Sequence, residues 1–208
     1  ALRAHGYADV TMQDIADECS KSKSLLHYHY DTKEDLLVAF LDHVISDSER
    51  RIEARADDPP ADRLVQFVGW FVFEADAVDR EAFHIALLEL RTQGPFNDRI
   101  REQLDRSDRL LRGTVADILE SGIEAGVFRD VDIEETAALI VATLDGARTR
   151  QITLSDGTED GEGSEPTYTR TVAEATLRRV VSPLLAEGVD LPPLTDRIEE
   201  MTRANGYE

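Results

Sequence analysis

The chain has a single cysteine, Cys19, so neither an internal disulfide nor a thiolate-rich zinc site can be assembled within one copy, and a reducing compartment is expected. Its longest uninterrupted apolar stretch, Phe67 to Phe73, falls far short of the roughly 18 residues that a membrane-spanning helix needs. No charged-then-apolar leader opens the sequence either, so the expectation is a soluble, cytoplasmic protein with no membrane partner. Alternating β-branched runs and hairpin dipeptides are missing, which argues against a sheet. Gly-rich phosphate loops, metal-spaced clusters and a nucleophile elbow are missing too, so no enzyme, metal or cofactor is expected. Lysine is scarce: Lys21, Lys23 and Lys33 are the only three, beside 20 arginines.

What is present is acid. Asp and Glu number 43 against 23 Lys and Arg, a formal net charge of −20, which taken alone argues against a nucleic-acid partner. The distribution reverses that inference. All three lysines lie between positions 21 and 33, and no carboxylate occurs from Cys19 to Tyr30. One neutral-to-basic window has been kept clear. The abundance of carboxylate with little lysine resembles the composition of proteins from salt-accumulating halophiles, in which global charge says little about partners.

With 41% hydrophobic residues the 208-residue chain can bury a core, and apolar residues recur at three- and four-residue spacing almost throughout. The spacing predicts an all-α protein. Ala1 to His5 reads as the last turns of a helix ended by Gly6, so residues are expected to precede Ala1. Thr11 and Asp14 form a capping box opening a short helix, Met12 to Glu18, and a second short helix is predicted from about Ser22 to His29. Thr32 caps a longer helix running to about Arg55. Asp57 to Pro60 breaks the pattern, and further helices are predicted at about 61–78, 80–92, 96–125, 132–155, 166–187 and 194–204. The acidic, Gly-rich segment 156–165 between two of them suits a loop.

Two short helices joined by a three- to four-residue turn make a helix-turn-helix, whose second helix enters the major groove of DNA. Residues 6–37, GYADVTMQDIADECSKSKSLLHYHYDTKEDLL, resemble the DNA-binding signature of the TetR family of transcription regulators. The match rests on Gly-Tyr after the first helix, Thr-x-x-Asp-Ile-Ala, Ser-Lys opening the third helix, its Leu- and aromatic-rich end, and Lys-Glu-x-Leu-Leu. The resemblance implies a three-helix DNA-binding domain over residues 1–45, its first helix truncated, and a helical ligand-binding and dimerisation domain over 46–208. It implies that Gln13, Lys23, Ser24, Tyr28 and His29 face base edges, and that Thr11, Ser22, His27 and Lys33 hold phosphates. Two positions depart from the family pattern. Ser20 stands where the turn usually has Gly, a strained choice if a left-handed residue is needed, and Lys21 stands where a buried Val is usual and is expected to point outward to phosphate.

The resemblance also implies an effector cavity, for which Phe67, Trp70, Phe71, His84, Leu88, Arg91, Ile100, Leu111 and Thr114 are the candidates, with His84 and Arg91 as polar contacts. Ala173, Leu177, Val180 and Leu184 follow a heptad-like seam, and Ala137, Ala138, Ala142, Gly146 and Ala147 permit close helix approach. A homodimer through 132–155 and 166–187 is therefore expected. The partners would be a double-stranded, palindromic operator and a small effector that releases the repressor from it. The alternative is a helical sensor that has lost DNA binding.

Overall fold

The computed structural model describes residues 1–72, 77–154 and 167–204, and these are helical almost throughout. The helices are α1 (Leu2–Asp9), α2 (Met12–Glu18), α3 (Lys23–His29), α4 (Lys33–Glu53), α5 (Pro60–Val72), α6 (Ala77–Gln93), α7 (Asp98–Glu124), α8 (Ile133–Leu154), α9 (Tyr168–Thr176) and α10 (Leu194–Ala204). After α9 the chain continues through a π turn, Leu177–Val181, and a 3-10 turn, Ser182–Leu184. Among the described residues the one β-type pairing is an isolated bridge between Phe128 and Leu185. No helix among them is long and apolar enough to cross a membrane. Residues 73–76 of the expected helix 61–78, the start of 166–187 and the expected loop 156–165 lie outside the described residues, and residues 77–78 open α6 instead.

Two compact units form, residues 1–51 with 77–110, and 52–76 with 111–208. They do not coincide with the expected division at 45/46, and the physical reason is where α6 and α7 place their apolar residues. In the first unit Leu90 of α6 and Ile100 of α7 join Leu37 and Leu41 of α4 in one core, with Leu2, Tyr7, Leu87 and Leu104 packed against it. Two ion-pair clusters reinforce that packing from outside. Arg99 pairs with Asp35 at 2.6 Å, and Arg106 with Asp42 at 2.5 Å and Glu49 at 3.0 Å.

The core of the second unit joins Leu64, Val65 and Val68 of α5 to Val115, Ile118 and Leu119 of α7, Ile140 and Leu144 of α8, and Ala173, Leu177 and Val181. Each large side chain fully buried there contributes roughly 1.5–3 kcal/mol of transfer free energy. Gly122 is needed because the Phe128 ring lies where its Cβ would be.

This core corrects the expected seam. Ala173 and Leu177, with Ala137 and Ala147, face the interior of their own subunit, and Val180 and Leu184 pack against it. Small residues serve helix packing equally well within a subunit and between subunits, so the pattern could not distinguish the two. The π turn adds a residue to the repeat, so that burial recurs at 173, 177, 181 and 185. What α8 leaves open is a stripe of Leu139, Ala142 and Gly146. Leu139 is 51% exposed, and a Cβ added at Gly146 would meet nothing within 4 Å.

Candidate nucleic-acid interface

The first three helices carry the expected motif, and each end of α2 is built by its own sequence. At its start the Thr11 hydroxyl accepts from the Asp14 amide at 3.3 Å while the Asp14 carboxylate accepts from the Thr11 amide at 2.8 Å, a reciprocal box that satisfies two otherwise orphaned donors. Thr32 and Asp35 repeat the arrangement at the start of α4, at 3.1 and 2.9 Å. The hydrogen bonds from the two threonines hold the Asp14 and Asp35 carboxyls below their ordinary range, with Arg99 adding to the effect at Asp35. The inner face of α2 is Met12, Ile15 and Ala16, all buried.

Its far end is a Schellman turn. The Ser20 amide donates to Asp17 O at 3.2 Å and the Lys21 amide to Ala16 O at 2.9 Å. Ser20 has φ +52°, the one non-glycine residue of positive φ among those described. The turn therefore keeps its left-handed residue although the glycine is gone. Ser22 then caps α3, accepting from the Leu25 amide at 3.2 Å.

Lys21, Ser22, Lys23, Ser24, His27, Tyr28 and His29 are all exposed, and none of the seven residues of α3 is buried. Tyr28 is 81% exposed with its ring set edge-on to His29, 5.0 Å between centroids. A large aromatic held in water on a short helix contributes nothing to the core and is available for stacking on sugar or base. Thr11 and Gln13 are exposed as well, but both side chains already have partners, Thr11 in its box and Gln13 donating to Asp17 at 2.7 Å. Lys33 is placed differently from the expectation. It is half-buried, and its ammonium donates to the Tyr7 carbonyl at 2.7 Å while lying 4.9 Å from the centre of the Tyr7 ring. A partly buried main-chain acceptor competes with phosphate for that cation.

The nine effector candidates divide between the two units. Phe67 belongs to the core of the second unit, with the Phe71 ring 5.5 Å away, Leu111 packed against that core and Thr114 buried; Trp70 is half-buried. In the first unit Ile100 is wholly within the core, while His84, Leu88 and Arg91 are half-buried. The His84 ring lies edge-on to Phe83 at 5.3 Å.

Sequence reading missed the ion pairs that fasten α7 to α4. Their partners are 57 to 64 residues apart, so no local pattern reveals them. The signal was the matched seven-residue spacing of Asp35, Asp42 and Glu49 with that of Arg99 and Arg106, which sets each group on one helix face. Both guanidinium pKa values are raised, Arg99 chiefly by Asp35 and Arg106 chiefly by Glu49.

Known proteins give the same reading of this geometry. Residues 1–40 match the family model for bacterial regulatory proteins of the tetR family, and residues 60–186 match the model for the C-terminal part of BetI-type transcriptional repressors. A TetR transcription regulator from Haloarcula marismortui is 34% identical and superposes with a TM-score of 0.74 over 88% of this chain and 92% of its own. A transcriptional regulator from Saccharomonospora viridis, solved in complex with choline, shares the fold at 24% identity, with a TM-score of 0.70 over 86% of this chain and 90% of its own. The HTH-type regulator YerO of Bacillus subtilis is 29% identical over 170 residues, 67% of this chain, and the match spans 58% of the length of that relative. With a capped helix-turn-helix, an all-helical second unit and both family models matched, the chain belongs to the TetR family of transcriptional regulators.

Proposed function

We propose that the protein is a homodimeric repressor that reads a palindromic operator with α3 and is released by a small effector. The observation that carries the reading is the exposed, carboxylate-free face of Lys21, Ser22, Lys23, Ser24, His27, Tyr28 and His29, set on a helix whose ends are fixed by its own caps. Lys23 can donate to guanine or phosphate, Tyr28 can stack on sugar or a thymine methyl, and Gln13 can turn from Asp17 to adenine. Thr11 and Lys33 remain phosphate candidates only if DNA displaces the partners they hold. Two reading helices one DNA turn apart require two copies, and the open Leu139, Ala142 and Gly146 stripe of α8 is the surface proposed to join them.

For the effector, Trp70, Phe71, Leu111 and Thr114 of the second unit are the proposed contacts. Aromatic faces in an acidic protein suit an organic cation, and choline, held by the Saccharomonospora protein, is the first probe. Replacing Lys23 or Tyr28 with Ala should weaken binding to the DNA upstream of the protein's own gene by roughly 1–3 kcal/mol, with helicity and dimer unchanged. Equal affinity of both variants and the parent protein at matched salt would remove α3 from the interface.

A further inference from the structure

Both main-chain polar groups of Tyr7 are held by side chains from other helices of the first unit. Gly6 before it has φ +68° and ψ 169°, a conformation open to glycine, which splits α1 and starts a new turn at Tyr7. The first amides of a helical turn have no partner within it. Here the Tyr7 amide donates to the Glu89 carboxylate of α6 at 3.0 Å, across 82 residues of sequence. The Tyr7 carbonyl accepts from Lys33 of α4 at 2.7 Å, and the same ammonium lies over its ring. Three residues further along the chain, the buried Val10 leads into Thr11, the cap of α2. The direction in which the helix-turn-helix leaves the first unit's core is therefore set at one peptide.

We propose that Glu89 is a positioning residue for the DNA-reading helices: from α6 its carboxylate holds the Tyr7 amide and, through the Tyr7–Val10 turn, the start of α2. Lys33 holds the carbonyl and lies over the ring, whereas the amide donates to Glu89. A charge-assisted bond of this kind is about twice as strong as one between neutral groups, and its loss leaves a half-buried donor unsatisfied. Any movement of α6 along its axis moves that acceptor. The role in DNA reading rests on the function proposed above; the role in holding the turn does not.

The test compares Glu89→Ala with Glu89→Gln, which keeps an acceptor oxygen, on the full-length dimer. Without DNA, hydrogen exchange should quicken about tenfold or more in peptides covering 7–18 in the alanine variant, while α8 and α9 exchange as before, and the glutamine variant should restore most of the protection. With DNA, the alanine variant should lose about tenfold in operator affinity per correctly folded dimer, with affinity for random duplex unchanged, and glutamine should again rescue. A residue that merely stabilises the fold would lower the active fraction and leave both affinities as they are. Unchanged exchange over 7–18 in the alanine variant overturns the proposal whatever the DNA result. Quickened exchange with operator affinity equal to the parent overturns the reading-head role, whereas failure of the parent protein itself to bind DNA overturns the proposed function and leaves the exchange result to decide the rest.

Discussion

Ser20→Gly should stabilise the protein, and the chain contains its own control. Among the described residues two Schellman turns end helices. At the end of α7 the Gly126 amide donates to Ile123 O at 3.0 Å and the Val127 amide to Gly122 O at 2.8 Å, with Gly126 at φ +71°. At the end of α2 the same two bonds form around Ser20 at φ +52°. A residue with a Cβ in the left-handed region costs roughly 1–2 kcal/mol. Replacing it with Gly recovers that cost but gives back about 0.5–1 kcal/mol in the entropy of the more flexible unfolded chain. The net gain is therefore about 0.5–1 kcal/mol per protomer, and for a chain of this size each kcal/mol moves Tm by roughly 2–4 °C. Thermal melts at equal protomer concentration should show a rise of about 1–4 °C for Ser20→Gly and a comparable fall for Gly126→Ser. Operator affinity should be unchanged by Ser20→Gly, because the backbone already has the glycine geometry. A Ser20→Gly variant that melts at or below the parent temperature would refute the argument and mean that the serine side chain has a role its exposure does not reveal.

Three further outcomes follow from the same geometry. Gly146→Arg or Leu139→Arg on the open stripe of α8 should give monomers in light scattering and abolish tight operator binding, whereas Leu177→Ala, in the subunit's own core, should cost about 2–5 kcal/mol of stability; persistent dimers in both arginine variants would place the interface elsewhere. The Asp14 and Asp35 carboxyls are lowered from 3.8 in the folded state, so the stability they add is complete above 3.8 and is lost as pH falls through their lower folded values. Asp14→Asn with Asp35→Asn should therefore flatten the loss of stability seen in melts below about pH 4, and an acid profile identical to the parent would count against the capping boxes as its source. Finally, exposed Asp9, Asp17, Glu18 and Asp31 flank Lys21 and Lys23, so cations are expected to be retained between protein and DNA, and operator affinity should vary little, or even rise, across a potassium chloride series. A steep decline equivalent to about six or more released cations per dimer would show that the lysine window dominates.

The local elements of this protein were written in short stretches of sequence. Thr-x-x-Asp at 11–14 and at 32–35 announces two helix starts, because both halves of a capping box lie within one turn, and the structure forms them there. The helix-turn-helix was legible for the same reason, as was the strain at Ser20, and the exposure of Tyr28 followed from an aromatic in a helix with little else to bury. What the sequence could not show is what each surface meets. Leu177 and Ala173 have the spacing of a dimer seam, yet they close their own subunit's core, since an apolar helix face carries no mark of whose helix will cover it. Lys33 reads as a phosphate ligand until Tyr7, 26 residues away, is brought under its ammonium. Glu89 carries no motif at all. Its place at the Tyr7 amide is decided by the packing of α6 on α1, a contact between residues 82 apart that tertiary structure alone creates.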